Sequence, residues 1–435
     1  MNEHLTDMQV HALPDGRFLH YHATDRFKTE ILSVRFVFPV TEGRSGADSI
    51  FPALLQKGSR SYPSERAIAR RLDELYGTDL AYAVDRSGDR RTLTFTVDYL
   101  SERYLPRGFD LLREVIALLR SILLEPIVDD HGSGFSPELS RLEVAAQLDH
   151  LRSIKNHKTR YATYRTSELM RDPLRYDVPI FGTEQELLAL TPQILYEQYL
   201  HMLKTAEVHF YYVGRETPER LLSLLGDLGL SSCPVQTIPV IPRRPRASRI
   251  RRFTEGTDGT QSVLVLGYRN SISIADDDAL LMPLLIEILS ESPIAKLFMS
   301  VREKKNLCYS VHAVSHLTIG TLQIFAGIDR EKREEAERAI RTELRRCRRA
   351  EISDKELFCA KESLINAYYT LEDSPLEIDV YHARCDLLGR SVSIAERIQR
   401  VRQADASDVA RLASRLSLDT VFFLDAGKGG HSDAV

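Results

Sequence analysis

Two side chains with chemistry to offer, Arg302 and Tyr309, stand on either side of a predicted turn. Residues 294–301 place apolar side chains at the i, i+3, i+4 and i+7 spacing of a helix with one buried face. Asn306 is one of the few non-glycine residues that accept a left-handed turn, and the alternation over Leu307–Ala313 predicts a strand. A guanidinium and a phenol so placed could both donate hydrogen bonds to one carbonyl or oxyanion. The alternative is a surface arginine and a half-buried strand tyrosine.

The stretch around these two residues carries a family resemblance. Its sequence, V-R-E-K-K-N-L-C-Y-S-V over Val301–Val311, resembles the segment R-E-(K/R)-x-G-L-x-Y-S-V of the pitrilysin/insulinase family of zinc peptidases, which includes the mitochondrial processing peptidase. The resemblance implies that Arg302 and Tyr309 help to bind substrate and steady the reacting carbonyl. Asn306 stands where the family usually has glycine, which is a mild departure.

The zinc signature of that family, His-x-x-Glu-His on a helix, is altered in this chain. The tail of the signature is recognisable, because Leu54–Ser59 is similar to the family sequence that follows the second histidine. Counting back from it, the five signature positions hold Ser49, Ile50, Phe51, Pro52 and Ala53. None is a zinc ligand, and Pro52 replaces the general base. His150 occupies the position where the resemblance places a third ligand. We therefore predict no metal and no cofactor in this chain, with zinc expected only in a partner subunit.

Three other histidine pairs were candidates for metal ligands: His20 with His22, His312 with His316, and His150 with His157. His312 and His316 lie on a predicted strand, where four residues span about 13 Å, too far to share an ion. His20 and His22 share one face of a strand, but no third ligand accompanies them. We interpret all of these histidines as core or surface residues.

The composition describes a globular protein without a general affinity for polyanions. The chain has 435 residues, 43% hydrophobic and 28% charged, with a formal net charge of −4. That length predicts two domains, and that charge gives no general attraction to nucleic acid or an anionic membrane. We expect neither a membrane span nor a signal peptide, because no apolar run approaches about 20 residues and the first residues lack a basic and apolar leader. Five scattered cysteines without a Cys-x-x-Cys pair predict reduced thiols and a cytoplasmic location.

The order of predicted elements favours an α+β fold of two homologous αβ domains, each an antiparallel sheet packed against long helices. We place the N-terminal domain, without its zinc motif, at 1–230, a Pro/Arg-rich linker at 231–253 and the C-terminal domain with Arg302 and Tyr309 at 254–435. In both halves strands precede long helices, and the predicted helices include Leu105–Leu124, Pro137 to about Arg171, Asp354–Leu371 and Ile394–Gln403. The predicted strands are Met8–Leu13, Phe18–His22, Ile31–Val40, Leu80–Val84, Leu93–Tyr99, Glu207–Val213, Ser262–Tyr268, Leu307–Ala313, Thr321–Ala326 and Thr420–Leu424. The linker arginines predict a solvated connector rather than a nucleic-acid site.

The leading functional hypothesis is a non-catalytic subunit that pairs with a zinc-bearing homologue and acts on a peptide or small protein. Some bacterial members of the resembled family divide the zinc site and the Arg–Tyr pair between two proteins of roughly this length. The chain is also similar to a metal-less bacterial paralogue of the family associated with elongation factor P 5-aminopentanol modification. A second hypothesis is a structural or peptide-binding homologue in which Arg302 and Tyr309 take no part in catalysis. A third is a stand-alone peptidase with an unrecognised metal site.

Overall fold

A computed structural model describes residues 8–13, 16–41, 43–87, 90–170, 180–233, 246–274 and 276–427. The strands are β1 Gln9–Ala12, β2 Phe18–Ala23, β3 Thr29–Pro39, β4 Asp79–Ser87, β5 Arg90–Leu100, β6 Glu207–Gly214, β7 Arg251–Thr257, β8 Ser262–Asn270, β9 Ser310–His316, β10 Thr321–Ile328 and β11 Leu416–Ala426. The α-helices are α1 Ser45–Gln56, α2 Glu65–Glu74, α3 Leu111–Leu124, α4 Pro137–Ser153, α5 Lys158–Leu169, α6 Glu184–Leu188, α7 Pro192–Thr205, α8 Pro218–Gly226, α9 Asp278–Ile286, α10 Arg333–Arg348, α11 Asp354–Leu371, α12 Pro375–Leu387, α13 Ile394–Gln403 and α14 Ala406–Ser414.

The strands form two sheets with the same topology. The first has the order β1-β2-β6-β3-β5-β4, and the second has the order β7-β11-β8-β10-β9. Without β1, the two orders match strand for strand. In each sheet the first strand of this common set pairs in parallel with the last, as β2 does with β6 and β7 with β11. The other pairs are antiparallel. The predicted fold of two homologous αβ domains is confirmed, with one parallel pair in each sheet.

The chain divides into two compact units, and each includes a segment from the other half of the sequence. The first unit comprises Met1–Leu151, Val178–Pro239 and Leu371–Leu387, and the second comprises Arg152–Asp177, Val240–Thr370 and Leu388–Val435. Helix α12 therefore belongs to the first unit and helix α5 to the second. Each unit is therefore built from three separate segments of the sequence.

Both faces of the central strands are covered, which explains their apolar sequences. In the first unit, β3 is buried along nearly its whole length. Alternate residues of β3 from Leu32 to Phe38 face the main core, whereas Ile31 packs with Ile378 of α12. In the second unit every residue of β8 is buried, and Val263 and Val265 pack with Ala162 of α5. One helix from the opposite half of the sequence thus covers the second face of each sheet.

Three details differ from the sequence prediction. Helix α3 begins six residues later than expected, at Leu111, because Asp110 caps it by accepting a hydrogen bond from the Arg113 backbone N–H. The long helix predicted from Pro137 breaks at His157 into α4 and α5. Strand β7 was not predicted, and its first three residues fall inside the predicted linker. Residues 234–245 of that linker lie outside the described residues.

Across the described ranges, no helix has the length and apolar character that a bilayer crossing requires.

Candidate functional site

The turn between Arg302 and Tyr309 is fixed by its backbone. Residues Phe298–Lys304 form wide helical turns, with Val301 fully buried. Asn306 then adopts a φ of 50°, as predicted, and its N–H donates to the carbonyl of Arg302 at 3.0 Å. The Tyr309 N–H donates to the Gly327 carbonyl of β10 at 2.8 Å, just before β9 begins. The hydrogen-bonded turn therefore presents both side chains beside β9, the edge strand of the second sheet.

The hydroxyl of Tyr309 is held in a small polar network. It donates to Asp329 Oδ1 at 2.6 Å, although the tyrosine is 58% exposed. Lys332 contacts the same carboxylate at 2.9 Å and donates to the Asn306 carbonyl, also at 2.9 Å. The hydrogen bond to the carboxylate raises the pKa of Tyr309, and it lowers the pKa of Asp329 with help from Lys332. The phenol is therefore neutral and donating at physiological pH.

The guanidinium of Arg302 has weaker partners. Its side chain is 45% exposed, and its Nε lies 3.7 Å from Glu303 Oε1. The group stands 4.9 Å from the centre of the Phe298 ring, a cation–π contact. Within the described residues, no hydrogen bond or ion pair joins Arg302 to Tyr309. The guanidinium can therefore donate to an incoming carbonyl or carboxylate without giving up a close ion pair. The Tyr309 hydroxyl, in contrast, must first release Asp329 before it donates to such a group.

The altered zinc signature lies in the buried helix α1. Ile50, Phe51 and the rest of the five positions are buried among core side chains, and Pro52 sits inside the helix. Ser49 has the one side-chain oxygen of the five, and it donates to the Gly46 carbonyl at 2.8 Å. These residues do not fit a zinc ion, because hydrocarbon side chains and one engaged hydroxyl supply no ligand set.

A buried ion pair that the sequence analysis missed lies beside this signature. Asp48 Oδ2 is 3.5 Å from Arg91 Nη1, with both side chains buried, and Gln198 Nε2 donates to Asp48 Oδ1 at 2.6 Å. Arg91 also donates to the Ser45 and Ile180 carbonyls. Burial raises the pKa of Asp48 to about 6, against the opposing effect of Arg91. We interpret the pair as structural, because it ties α1 to β5 and α7.

The remaining predicted histidines are dispersed. His150 is exposed and stacks edge-on against Phe181 at 5.2 Å. His312 lies 3.7 Å from Glu291, and His157 and His316 border a surface cavity of the second unit. Within the described part of the chain, no group of three or more His, Cys, Asp or Glu residues is arranged to hold a metal ion.

His20 belongs to a polar cluster beneath α12 in the first unit. Its Nε2 is 2.9 Å from His209 Nδ1, its Nδ1 is 3.0 Å from Asp386 Oδ2, and its ring stacks on Tyr211 at 4.1 Å. Burial lowers the pKa of His20, although Asp386 opposes that shift. His22 instead stacks with His382, at 6.5 Å between ring centres. Both ring nitrogens of His20 face protein partners, so the two histidines do not converge on one site.

Comparisons with known proteins find relatives that span nearly the whole chain. The family model described as the peptidase M16 inactive domain matches residues 189–364. A relative from Bacillus subtilis (strain 168), named "Probable inactive metalloprotease YmfF", is 22% identical over 414 residues, spanning 95% of this chain and 97% of the relative. The crystal structure of a conserved protein from Enterococcus faecalis V583 matches with a TM-score of 0.89 and 25% identity, covering 98% of this chain and all of that one. The peptidase M16 inactive domain from Pseudomonas fluorescens has a similar fold, with a TM-score of 0.79, 16% identity and coverage of 98% and 100%.

The duplicated αβ fold and the ligand-free zinc signature define a peptidase-like protein without a zinc centre of the family type. Residues 189–364 match the inactive domain of the M16 peptidases, the pitrilysin/insulinase family, and the chain is similar over nearly its whole length to a probable inactive metalloprotease. The resemblance carried by Leu54–Ser59 and Val301–Val311 is confirmed.

Proposed function

We propose that this chain is the non-catalytic subunit of a heterodimeric zinc metallopeptidase, supplying Arg302 and Tyr309 to the active site of a zinc-bearing homologous subunit. The observation that carries the proposal is their exposure on one hydrogen-bonded turn: Arg302 forms only a long ion pair among the described residues, 3.7 Å from Glu303, and Tyr309 has a hydroxyl that donates at neutral pH. The inactive M16 homology supports it, since a subunit without zinc needs a partner to act on peptides.

In this proposal the two side chains stabilise the reacting carbonyl of a bound peptide. The planar guanidinium offers paired donors, and the phenol offers one more. A preorganised donor aimed at a developing oxyanion contributes about 3–4 kcal/mol to transition-state stabilisation. Tyr309 would leave Asp329 for the substrate, and Lys332 would remain to neutralise that carboxylate.

We place the pair in the cytoplasm. All five cysteines are free, and Cys308, Cys347 and Cys385 are buried as thiols. Burial raises the pKa of Cys308 to about 11 and that of Cys347 to about 12, so neither forms a reactive thiolate at neutral pH. Such thiols suit a reducing compartment.

One observation favours the second hypothesis, a structural or peptide-binding homologue. The Tyr309–Asp329–Lys332 network also links the turn to the segment that follows β10, so the tyrosine has a structural use without any substrate. On that view Arg302 and Tyr309 stabilise the turn alone.

Kinetics of the complex reconstituted from this chain and a zinc-bearing homologue distinguish the catalytic proposal from the structural hypothesis. Arg302→Ala and Tyr309→Phe should each lower kcat on a peptide substrate by about tenfold or more with association unchanged, because a donor used mainly on the oxyanion acts on kcat. Arg302→Lys should rescue little, since a point charge does not replace the planar fork. Lys304→Ala and Tyr369→Phe, which alter an exposed cation and a hydrogen-bonded phenol of the same unit, are the matched controls. Rates within about twofold of wild type for both test variants would support the structural hypothesis.

A further inference from the structure

The second unit has another cavity besides the one that His157 and His316 border, and no part of the proposed peptidase role uses it. It measures about 390 Å³, within the range of small-molecule sites. It is lined by Ala247, Ser248, Arg249, Ile250, Tyr268, Arg341, Leu344, Arg345, Arg348, Leu416, Ser417 and Leu418. Four of these residues are arginines, and none of them is acidic. A cluster of guanidinium groups that outnumber their carboxylate neighbours around a cavity favours an anion.

Among the described residues, two of these arginines are held in place by partners other than a carboxylate. Arg348 donates from Nε to the Ala413 carbonyl at 3.1 Å and from Nη2 to the Leu416 carbonyl at 2.8 Å. Arg345 donates to Thr342 Oγ1 at 2.8 Å and, more weakly, to a carbonyl of its own helix. Carbonyl and hydroxyl partners orient these guanidinium groups but leave their positive charge unpaired. Both are therefore positioned to bind a charged acceptor.

The third arginine is only partly neutralised. Arg341 lies 3.2 Å from Glu337 Oε1, but that carboxylate already forms a two-pronged pair with Arg252, at 2.7 and 2.8 Å. One carboxylate therefore serves two guanidinium groups. The cavity keeps a net positive charge even when this neighbour is counted.

An unpartnered hydroxyl points to the same conclusion independently. Tyr268 lines the cavity from β8, is only 2% exposed, and its hydroxyl has no hydrogen-bond partner among the described residues. Buried polar atoms are rarely left without one, since each costs free energy. The positive fields of Arg348 and Arg341 act on this hydroxyl, although burial dominates and raises its pKa. It is therefore a neutral donor beside two cations.

We infer that this cavity binds a small organic phosphate. A phosphoryl group offers several acceptor oxygens, so it can receive hydrogen bonds from Arg345, Arg348 and the Tyr268 hydroxyl together, whereas a carboxylate offers two. The lining also includes the apolar side chains Ile250, Leu344, Leu416 and Leu418, which suit the carbon skeleton of the ligand.

Calorimetric titration of the full chain with phenyl phosphate, inorganic phosphate and benzoate tests the inference. We expect phenyl phosphate to bind with a Kd below about 1 mM at physiological salt. Inorganic phosphate should bind more weakly, because it leaves the apolar lining residues without a contact, and benzoate should bind more weakly still. Comparable affinity for benzoate would overturn the assignment to phosphate.

Variants locate the binding. Tyr268→Phe removes only the hydroxyl, and Arg345→Gln removes an exposed cation that has no carboxylate partner, so each should weaken phenyl phosphate binding about tenfold. Arg349→Gln is the matched control, because Arg349 neighbours Arg348 in sequence but does not line the cavity. The inference fails if neither test variant weakens binding or if the control weakens it equally. Binding to vesicles of anionic phospholipid without binding to phenyl phosphate would also overturn it, in favour of a lipid surface.

Discussion

Asn306 shows how one residue sets the geometry of the candidate site. Its backbone lies in the left-handed region, at φ 50°, between the helical turns that carry Arg302 and the chain that leads to Tyr309. Asparagine tolerates this region better than other residues with a Cβ, and glycine tolerates it best. The Lys332 side chain donates to the Asn306 carbonyl, which fixes the turn further.

Substitutions at Asn306 should therefore separate by backbone preference rather than by polarity. We expect Asn306→Gly to leave the free energy of unfolding nearly unchanged, and Asn306→Val to lower it by about 1–2 kcal/mol, because a β-branched residue resists the left-handed region. Urea denaturation followed by circular dichroism measures both. Lys305→Val, one residue earlier at a φ of −99°, is the control for placing valine in this turn. Equal losses for the two valine variants would contradict the argument.

The sequence carries this local information but not the partners of the site. Left-handed Asn306 and the strand after it follow from residue types alone. The bond from Tyr309 to Asp329 does not, because the residues are 20 positions apart and meet only when β9 and β10 pair. The carboxylate that Tyr309 must leave is thus placed there by the fold.

At the scale of elements, helix α12 docks on the first sheet through a buried ion pair. Arg35 of β3 bonds the carboxylate of Asp379, which is 0% exposed and also accepts from Ser33 at 3.0 Å. Burial raises the pKa of Asp379 despite the opposing effects of Arg35 and the hydrogen bonds. The desolvation of this carboxylate therefore outweighs its attraction to the arginine. Such a pair specifies where the helix docks more than it adds stability.

Breaking this pair should cost much more than replacing it. We expect Asp379→Ala to lower the free energy of unfolding of the first unit by about 3–5 kcal/mol, since Arg35 would remain buried without its carboxylate partner. The double variant Arg35→Met/Asp379→Leu should recover most of that loss. The shift of the urea midpoint, with the slope of the transition checked in each variant, measures the effect.

The exposed pair between Arg26 and Asp373 provides the comparison. Asp373 lies in the same Leu371–Leu387 segment as Asp379, and its Oδ1 is 3.4 Å from Arg26 Nη2. The Arg26 side chain is 44% exposed and the Asp373 side chain is 74% exposed. Asp373→Ala should change the free energy of unfolding by about 1 kcal/mol or less. A double variant of Arg35 and Asp379 that is as unstable as Asp379→Ala would contradict the desolvation argument.

The boundaries of elements were predictable where capping signals exist. Helices α11 and α13 occupy the ranges predicted for them, and α13 begins with a capping box formed by Ser393 and Glu396. Strand β7 escaped prediction because Arg251 and Arg252 resemble a solvated linker. Their charges are matched only in the fold, by Asp419 of β11 and Glu337 of α10. A strand whose charged side chains are paired with carboxylates far away in the sequence has no local sequence pattern that predicts it.

At the scale of the molecule, the duplication was visible in the order of elements, and the matched strand orders confirm it. The exchange of α5 and α12 between the units was not visible. An amphipathic pattern predicts a helix but does not say which sheet it covers. The contacts that decide it, such as Ser33 with Asp379, join residues 346 positions apart.

The last prediction concerns the assembly. We expect the purified chain alone to bind no stoichiometric zinc and to cleave no peptide, because the five signature positions supply no ligand set. Mixed with a zinc-bearing homologue, it should form a complex that buries about 2,000 Å² or more in total, since two subunits must enclose a peptide. Light scattering after gel filtration, metal analysis and a peptide cleavage assay measure the three properties. A partner whose own His-x-x-Glu-His motif is disrupted should still form the complex without cleavage, which separates assembly from chemistry. If the two chains elute as separate species at micromolar concentration, the heterodimer proposal is wrong and the structural hypothesis is favoured. If the chain alone binds one zinc that is lost on replacing His20 and His22, it has a metal site of its own.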